Sequence, residues 1–421
     1  MKPKQRILVF EHTQLNIGDQ GFTRQHWEKL GWYNNRHEGK YFTLTPKGIK
    51  FQQYVGVIQV GNLVIEILPK VNRDTGDDSK RQWQQVLIDM LRVCHRLKID
   101  SHDKAAVKIK NNSILDTYLE LFLQECEAIA RKGLVKKYRT VQQNCTSLKG
   151  KLLFPKQLQK NLIHQERFFT QYQHFDRDNV FNQILHQALL LIPALSDQRM
   201  LKDRVADLLL LFPELSPLKI TAATFQHLTY DRKTSDYKPA MEIAAMLLLN
   251  YRPDICGGHH HLLAILFDMN TLWEEYIFRQ LQKHKPDGYT VISYSSRKFW
   301  ESEKHPVSRK IEPDIVITDD QDRSFILDTK WKLIPGHGPA DADLKQMYVY
   351  NDYWQSKMAI LIYPQPDHSA GMEYHAGSFS EQGGQPARHG CSILKVSVLN
   401  EFHKLDRQLG QWIHEQLMAV L

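Results

Sequence analysis

Short runs of β-branched and aromatic residues, punctuated by glycine and proline, characterise the first 70 residues of the chain. The runs VGVIQV and LVIEIL flank Gly61–Asn62, and two apolar runs around a turn of this kind predict a β-hairpin. The polar segment NRDTGDDSKRQ that follows is typical of a linker. We therefore predict a β-rich N-terminal domain over residues 1–80.

The apolar spacing becomes helical from about residue 83 onward. QWQQVLIDMLRVCHRL predicts one helix, and DTYLELFLQECEAIARKG predicts a second, with Asp116 able to cap its start and Gly133 its end. Further helical runs are NVFNQILHQALLLI, DRVADLLLLF and AMEIAAMLLLN. These runs predict a largely helical middle region over residues 81–255.

Residues 256–421 read as helix, three strands, helix, strand. LLAILFDMNTLWEEYIFRQLQKH predicts a helix, and YTVISYSS a strand. DIVI and FILDTKW predict a hairpin around TDDQDR, DADLKQMYVYNDYW a helix, and MAILIYP a final buried strand. This order is typical of α/β layers. The predicted fold class is therefore mixed α/β, with a β-rich start, a helical middle and a C-terminal α/β domain.

The predicted hairpin carries polar residues that a buried sheet does not need. Alternate residues of a strand share a face, so Asp328 and Lys330 point the same way, and Asp314 at the start of the partner strand can lie beside them. Neighbouring carboxylates resist ionisation, and a divalent cation such as Mg²⁺ or Mn²⁺ relieves that conflict. With a lysine to position a water, this set can hydrolyse a phosphodiester.

The alternative is a surface ion pair on an edge strand, because D-x-K occurs often by chance and such a pair contributes little. Three features favour the catalytic interpretation. Asp314, in a Pro-Asp pair, lies fourteen residues before Asp328, at hairpin distance. The strand around D-x-K is strongly apolar. Gln346 and Tyr350 lie four residues apart on the next predicted helix, so both can face the same site.

The segments PDIVI, FILDTKWK and QMYVY together resemble the PD-(D/E)xK nuclease motif with its trailing Q-x-x-x-Y helix. The chain as a whole resembles the McrC family, the nuclease subunit of McrBC restriction systems that act on DNA carrying 5-methylcytosine. This wider resemblance rests on VGVIQVGNLVIEILPKV, LKGKLLF, FDRDNVFNQIL and FDMNTLWEEYI. It implies a C-terminal nuclease domain with a restriction-endonuclease-like α/β fold.

The resemblance also implies roles for individual residues. Asp314 and Asp328 match the metal-binding acids of the motif, and Lys330 matches its catalytic lysine. Gln346 and Tyr350 match the supporting helix, whose polar face can hold the lysine or the DNA backbone.

Glu274 matches the acid of the preceding helix, which is a possible further ligand for the metal or for water. Glu275 is the alternative candidate for this role. Successive helical residues lie about 100° apart, so only one of the two glutamates can point into the site. An exposed glutamate remains the alternative for both positions.

Arg309 and Lys310 come just before the Pro-Asp pair and are placed to meet DNA at the mouth of the site. A second basic cluster, RKGLVKKYR followed by KGK, can contact phosphates or form a solvated face. The net charge of +8 fits an acidic partner such as nucleic acid.

The sequence contains no GxxxxGK[ST] phosphate-binding loop, so it has no recognisable nucleotide-hydrolysing site of its own. The resemblance implies that a separate McrB-like AAA+ GTPase ring drives cleavage of double-stranded DNA, with the N-terminal domain docking in the ring. Two other functions stay open. One is a stand-alone nuclease, and the other is a non-catalytic adaptor that stimulates a motor.

No apolar run approaches the roughly 20 residues of a membrane span, so no membrane association is expected. Five dispersed cysteines and the lack of an export signal predict reduced thiols in the cytoplasm. The segment CGGHHH, Cys256–His261, suggests a metal site, but no second ligand pair is evident. We therefore expect it to be a loop between domains.

Overall fold

The computed structural model describes residues 4–70, 76–94, 113–252, 262–303, 307–334, 338–365, 372–380 and 386–420. Its α-helices are α1 Arg24–Arg36, α2 Asp77–Val93, α3 Ile114–Lys132, α4 Phe154–Asn161, α5 Val180–Leu195, α6 Arg199–Leu209, α7 Ala222–Gln226, α8 Lys238–Asn250, α9 Met269–Lys283, α10 Asp341–Trp354 and α11 Leu409–Val420. Its β-strands are β1 Gln5–Phe10, β2 Gln14–Asn16, β3 Phe42–Thr45, β4 Gly48–Phe51, β5 Tyr54–Val60, β6 Leu63–Leu68, β7 Lys137–Cys145, β8 Lys151–Leu152, β9 Phe168–Asp176, β10 Tyr251–Arg252, β11 Leu262–Asp268, β12 Thr290–Ser293, β13 Arg297–Glu301, β14 Ser308–Ile311, β15 Ile315–Thr318, β16 Ser324–Thr329, β17 Met358–Gln365, β18 Glu373–His375, β19 Ser378–Ser380 and β20 Pro386–Ser397.

The chain forms two compact units that do not follow its linear order. The first unit comprises Met1–Lys4, Gln59–Asn62 and His102–Ile265, and the second comprises Gln5–Ile58, Leu63–Ser101 and Leu266–Leu421. Most of the N-terminal strands therefore belong to the same unit as the C-terminal α/β region. The predicted division of roles at residues 80 and 255 stays a prediction.

The largest sheet of the second unit is mixed and has the strand order β12-β15-β16-β17-β20-β18, and β19 pairs with β20. β12, β15 and β16 are antiparallel, whereas β16, β17 and β20 are parallel. α10 packs on β16, β17 and β20, and α9 packs on β12 and β16. The predicted elements α9, β12, the β15–β16 hairpin, α10 and β17 follow one another in this order, but β13 and β14 lie between β12 and β15, so five strands and not three separate the two helices in the described part of the chain. The mixed α/β fold class is confirmed.

The apolar face of the sheet beneath α10 explains why this helix lies there. Ile326 of β16 and Leu361 of β17 pack with Met347 and Trp354 of α10 in one buried cluster. Strand alternation then sets Asp328 on the same face as Ile326, two residues earlier. The hairpin predicted around TDDQDR is confirmed by β15 and β16.

The first unit contains packed helices and a three-stranded sheet with the order β7-β9-β8. α5 packs against α6 and α8, and α3 also packs against both. β9 pairs along its whole length with β7 and also with β8.

Within the described residues, no helix combines the length and the apolar character that crossing a membrane requires.

Two predicted elements of the C-terminal region were wrong. Leu262–Asp268 forms strand β11, not the start of a helix, and α9 begins at Met269. The consecutive apolar residues of β11 have no helical period. The helix starts after Asp268, whose side chain caps α9 by accepting a hydrogen bond from the amide of Asn270 at 2.9 Å. MAILIYP is not the final strand, because β18, β19 and β20 follow it.

Three details of the N-terminal half also differ from the prediction. The β-rich region contains helix α1, which begins after a hydrogen-bonded Thr23 cap. The polar segment assigned as a linker already starts α2 at Asp77. Ser113, not Asp116, caps α3, and its side chain accepts the Asp116 amide at 2.9 Å. Gly133 ends α3 as predicted, with a φ of 89° that a glycine adopts without strain.

We predict that Asp268→Ala lowers the free energy of unfolding by about 1 kcal/mol, because the amide of Asn270 in the first turn of α9 loses its hydrogen-bond acceptor. Asp268→Asn keeps a side-chain oxygen that can accept this hydrogen bond, so it should lower the free energy of unfolding by only a fraction of that amount. Urea unfolding followed by circular dichroism measures both. Equal losses in the two variants would contradict the role assigned to the cap.

Candidate functional site

The hairpin brings the two predicted acids together at one end of the sheet. Ile315 lies opposite Leu327 in the antiparallel pairing of β15 and β16. Asp314 directly precedes Ile315 and Asp328 directly follows Leu327, so the two acids are neighbours across the hairpin. Each acid sits where a strand begins or ends, and the apolar residues between them form the core of the sheet.

Each of the two carboxylates has its own polar partner. The Oδ2 atom of Asp314 accepts hydrogen bonds from the amide of Thr329 at 2.7 Å and from its hydroxyl at 2.9 Å. Asp328 is 1% exposed, and its Oδ2 atom lies 2.6 Å from the Nζ atom of Lys330. Thr329, between the two motif residues, therefore orients the first acid while Lys330 neutralises the second.

Burial raises the pKa of both acids. For Asp328 the negative charge of Asp314 adds to this effect, and Lys330 offsets only part of it. For Asp314 the hydrogen bonds from Thr329 act in the opposite direction, but its pKa is still raised. Burial alone would lower the pKa of Lys330, yet Asp328 and Asp314 outweigh it and the pKa is raised, which keeps the ammonium charged. The site thus has an excess of negative charge.

Glu274 of α9 lies within electrostatic reach of these acids. Burial raises its pKa to about 8, and the charges of Asp314 and Asp328 add to the effect. Glu275 is instead engaged by Arg279, one turn further along α9, at 3.7 Å. The pKa of Glu274 thus responds to the acidic pair, and the catalytic role of Glu274 stays a prediction.

Gln346 and Tyr350 link the lysine to the backbone that precedes the first acid. The Oε1 atom of Gln346 accepts a hydrogen bond from Lys330 at 3.4 Å, and its Nε2 atom donates to the Tyr350 hydroxyl at 2.7 Å. That hydroxyl donates in turn to the carbonyl oxygen of Glu312 at 2.8 Å. The Q-x-x-x-Y pair thus joins both strands of the hairpin to α10.

The residues predicted to contact DNA differ in exposure. Tyr350 is only 5% exposed, and its hydroxyl already holds Glu312. Arg309 and Lys310 are exposed on β14, five and four residues before Asp314. All three DNA contacts stay predictions, but only the two cations present their charged groups to the surface.

One ion pair beside this site was not predicted from the sequence. Asp343 in the first turn of α10 lies 2.6 Å from the Nζ atom of Lys332 and accepts a hydrogen bond from Tyr363 at 3.3 Å. Its charge contributes to the raised pKa of Asp328. The signal was available, because Lys332 continues the alternate spacing of Asp328 and Lys330.

A buried glutamate from the N-terminal strands also reaches the site. Glu11 is fully buried, and its Oε1 atom accepts hydrogen bonds from the Trp331 indole at 2.7 Å and from the Lys70 amide at 2.9 Å. The Trp331 ring lies 5.2 Å from that of Trp273, which precedes Glu274. Glu11 and Trp331 are 320 residues apart, so no local pattern could have indicated this contact.

The donor chemistry of the acidic pair fits a hard divalent cation. Asp314 and Asp328 offer only oxygen atoms, and their raised pKa values reflect a repulsion that Mg²⁺ or Mn²⁺ would relieve. Among the described residues, no group of three His, Cys, Asp or Glu side chains is preassembled for a metal ion. Glu274 would therefore have to approach the pair to become a third ligand. Cys256–His261 lies outside the described residues.

Comparisons with known proteins identify the family of the chain. The family model described as "McrBC 5-methylcytosine restriction system component" matches residues 49–364. The chain belongs to this family. No curated protein matches the sequence.

Two solved structures are similar to the chain. One is a refined half-complex from the tetradecameric assembly of Thermococcus gammatolerans McrB AAA+ hexamers with bound McrC, with a TM-score of 0.71 and 19% identity over 99% of this chain and 100% of that chain. The other is the cryo-EM structure of the Thermococcus gammatolerans McrBC complex, with a TM-score of 0.50 and 21% identity over 67% of this chain and 88% of that chain. At these identities the likeness shows the fold.

We predict that Glu11→Gln removes a pH dependence from the stability of the protein. Burial raises the pKa of Glu11 to about 7 from its ordinary value of 4.5. Because the folded state holds this proton more tightly, its stabilising effect is complete below about pH 4.5 and is lost as the pH rises through 7. Glutamine at position 11 still accepts a hydrogen bond but does not titrate. The stability of the variant should therefore fall less across this pH window than that of the wild type.

Thermal unfolding at several pH values, without metal, measures this difference. Glu28→Gln, at an exposed position of α1, is the matched control and should follow the wild type. A Glu11→Gln variant that loses stability as steeply as the wild type would refute the assigned titration.

Proposed function

We propose that this chain is the DNA-cutting subunit of an McrBC-type restriction system. It would be a Mg²⁺-dependent endonuclease of the PD-(D/E)xK type that hydrolyses phosphodiester bonds in methylated DNA. The observation that carries the proposal is the pairing of the half-buried Asp314 with the buried Asp328, with Lys330 held against Asp328. A surface ion pair would need neither the burial nor the second acid.

The residues of the site divide the chemistry between them. Asp314 and Asp328 would hold Mg²⁺ or Mn²⁺, with Glu274 as a further ligand. The cation, when bound, offsets the negative charge that develops on the phosphate during hydrolysis. Lys330 presents its ammonium beside the acids, where it can orient the attacking water and stabilise the phosphate oxygens.

The surrounding hydrogen bonds limit the motion of these groups. Thr329 fixes the rotamer of Asp314, and Gln346 gives Lys330 a second partner beside Asp328. Such orientation lowers the barrier, because the reacting groups lose little further freedom on approaching the transition state. This is the role that we assign to the Q-x-x-x-Y helix.

The proposed partner is an McrB-like AAA+ GTPase ring that translocates the DNA and recognises the modified base. Membership of the McrBC family supports this partner, and so does the likeness to a structure described as McrB AAA+ hexamers with bound McrC. The sequence has no phosphate-binding loop to drive translocation itself. We assign ring docking to residues 1–80, as the resemblance implies.

We expect cleavage of cytosine-methylated plasmid only when Mg²⁺, GTP and the AAA+ partner from the same genome are all present. Asp328→Asn should slow cleavage more than about 100-fold, because it removes a proposed metal ligand. Asp352→Asn, at an exposed aspartate of α10, is the matched control and should cut like the wild type. Gel assays on methylated and unmethylated plasmid measure these rates.

The other outcomes identify the competing functions. Cleavage by the chain alone would indicate a stand-alone nuclease. Cleavage by the assembled complex that survives Asp328→Asn, while the chain still stimulates GTP hydrolysis, would indicate an adaptor without catalytic acids.

A further inference from the structure

A small two-stranded hairpin stands immediately before the acidic site. β13 pairs with β14 in an antiparallel sheet of its own, separate from the main sheet. Every residue of β13 is exposed, as are the first three residues of β14. The last residue, Ile311, packs against the buried cluster beneath α10. The hairpin is therefore a projecting element attached to the site at its base.

Contacts with the end of α10 fix the hairpin in place. The guanidinium of Arg297 donates to the carbonyl oxygen of Tyr353 and lies 4.8 Å from the centre of the Trp354 ring. The Phe299 ring lies 5.7 Å from the Tyr353 ring. Since α10 also carries Gln346 and Tyr350, the hairpin and the catalytic groups are supported by the same helix.

Irregular pairing separates the two aromatic residues of β13. Lys298 lies opposite Lys310 and Trp300 opposite Arg309, so a register shift falls at Phe299. Phe299 packs on α10 and is 47% exposed, and Trp300 is 52% exposed beside Arg309. The exposed half of the indole is available to a ligand, on a strand that α10 holds in place.

The charges around Trp300 favour a polyanionic occupant. Lys298 is engaged by Glu301, but within the described residues Arg309 and Lys310 make no ion pair. Lys310 precedes Asp314 by four residues, which an extended backbone spans in roughly 13 Å. At a rise of roughly 3.4 Å per nucleotide, this corresponds to a few steps along one DNA strand.

We propose that Trp300 is a base-stacking residue of the nuclease. Its indole would stack on a base of the DNA while Arg309 and Lys310 bind the backbone of the same strand, which brings a nearby phosphodiester to Asp314 and Asp328. Exposed aromatic side chains flanked by cations bind nucleic acid in this way, because every base offers a flat face. The inference rests on the proposed function, since it requires DNA as the substrate.

The test is the affinity for a labelled methylated duplex at several salt concentrations, with Ca²⁺ replacing Mg²⁺ so that binding is measured without cleavage. It uses the full chain, alone and assembled with its ring partner. Trp300→Leu keeps an apolar side chain but loses the flat ring, and it should weaken binding roughly tenfold. Trp300→Phe should restore most of the affinity. Phe402→Leu, at an exposed aromatic in the same unit, is the control.

Salt dependence separates stacking from charge. Trp300→Leu should leave the slope of log affinity against log salt unchanged, because stacking releases no counterions. Changing Arg309 and Lys310 to glutamine should reduce that slope by about 0.9 for each phosphate that the variant no longer neutralises. Circular dichroism of each variant establishes that the fold is retained.

Two results would overturn the inference while leaving the proposed function intact. In one, the wild type binds and cuts DNA and Trp300→Leu binds it equally well. In the other, Trp300→Leu weakens assembly with the ring but not DNA binding, which would make the hairpin a protein contact. A wild-type complex that neither binds nor cuts DNA would overturn both proposals.

Discussion

Repulsion between closely spaced carboxylates is the constraint on which the site depends. Asp314 and Asp328 are brought side by side by strand pairing, and Glu274 adds a third acid whose pKa is raised to about 8. One close cation, Lys330, cannot neutralise all three. The arrangement lowers the stability of the fold and would be relieved by a divalent cation, as is common where function requires charges in an apolar environment.

Distant segments of the chain hold this unfavourable arrangement together. Tyr350 ties α10 to the backbone before Asp314, and Glu11 ties the N-terminal strands to Trp331 beside Lys330. The N-terminal strands therefore support the end of the sheet that carries the candidate catalytic residues. If the N-terminal region docks in a motor ring, as we propose, Glu11 gives docking a direct physical connection to the site.

The parts of the site that obey local periodicity could be predicted, and the rest could not. Strand alternation was enough to align Asp328 with Lys330, and helical spacing was enough to pair Gln346 with Tyr350. Sequence could not choose between Glu274 and Glu275, because that choice depends on how α9 is rotated against the sheet. The contact of Glu11 with Trp331 exists only through the tertiary fold. Strand β11 was missed because a short apolar run fits a buried strand or a helix equally well.

Calorimetric titration of the chain with Mn²⁺ at neutral pH tests the central claim most directly, since it does not depend on the partner, GTP or DNA. If the acids form a cation site, the wild type binds Mn²⁺, and Asp314→Asn and Asp328→Asn each weaken binding by at least about tenfold. Asp352→Asn should bind like the wild type. Equal Mn²⁺ binding by the wild type and both site variants would contradict the account.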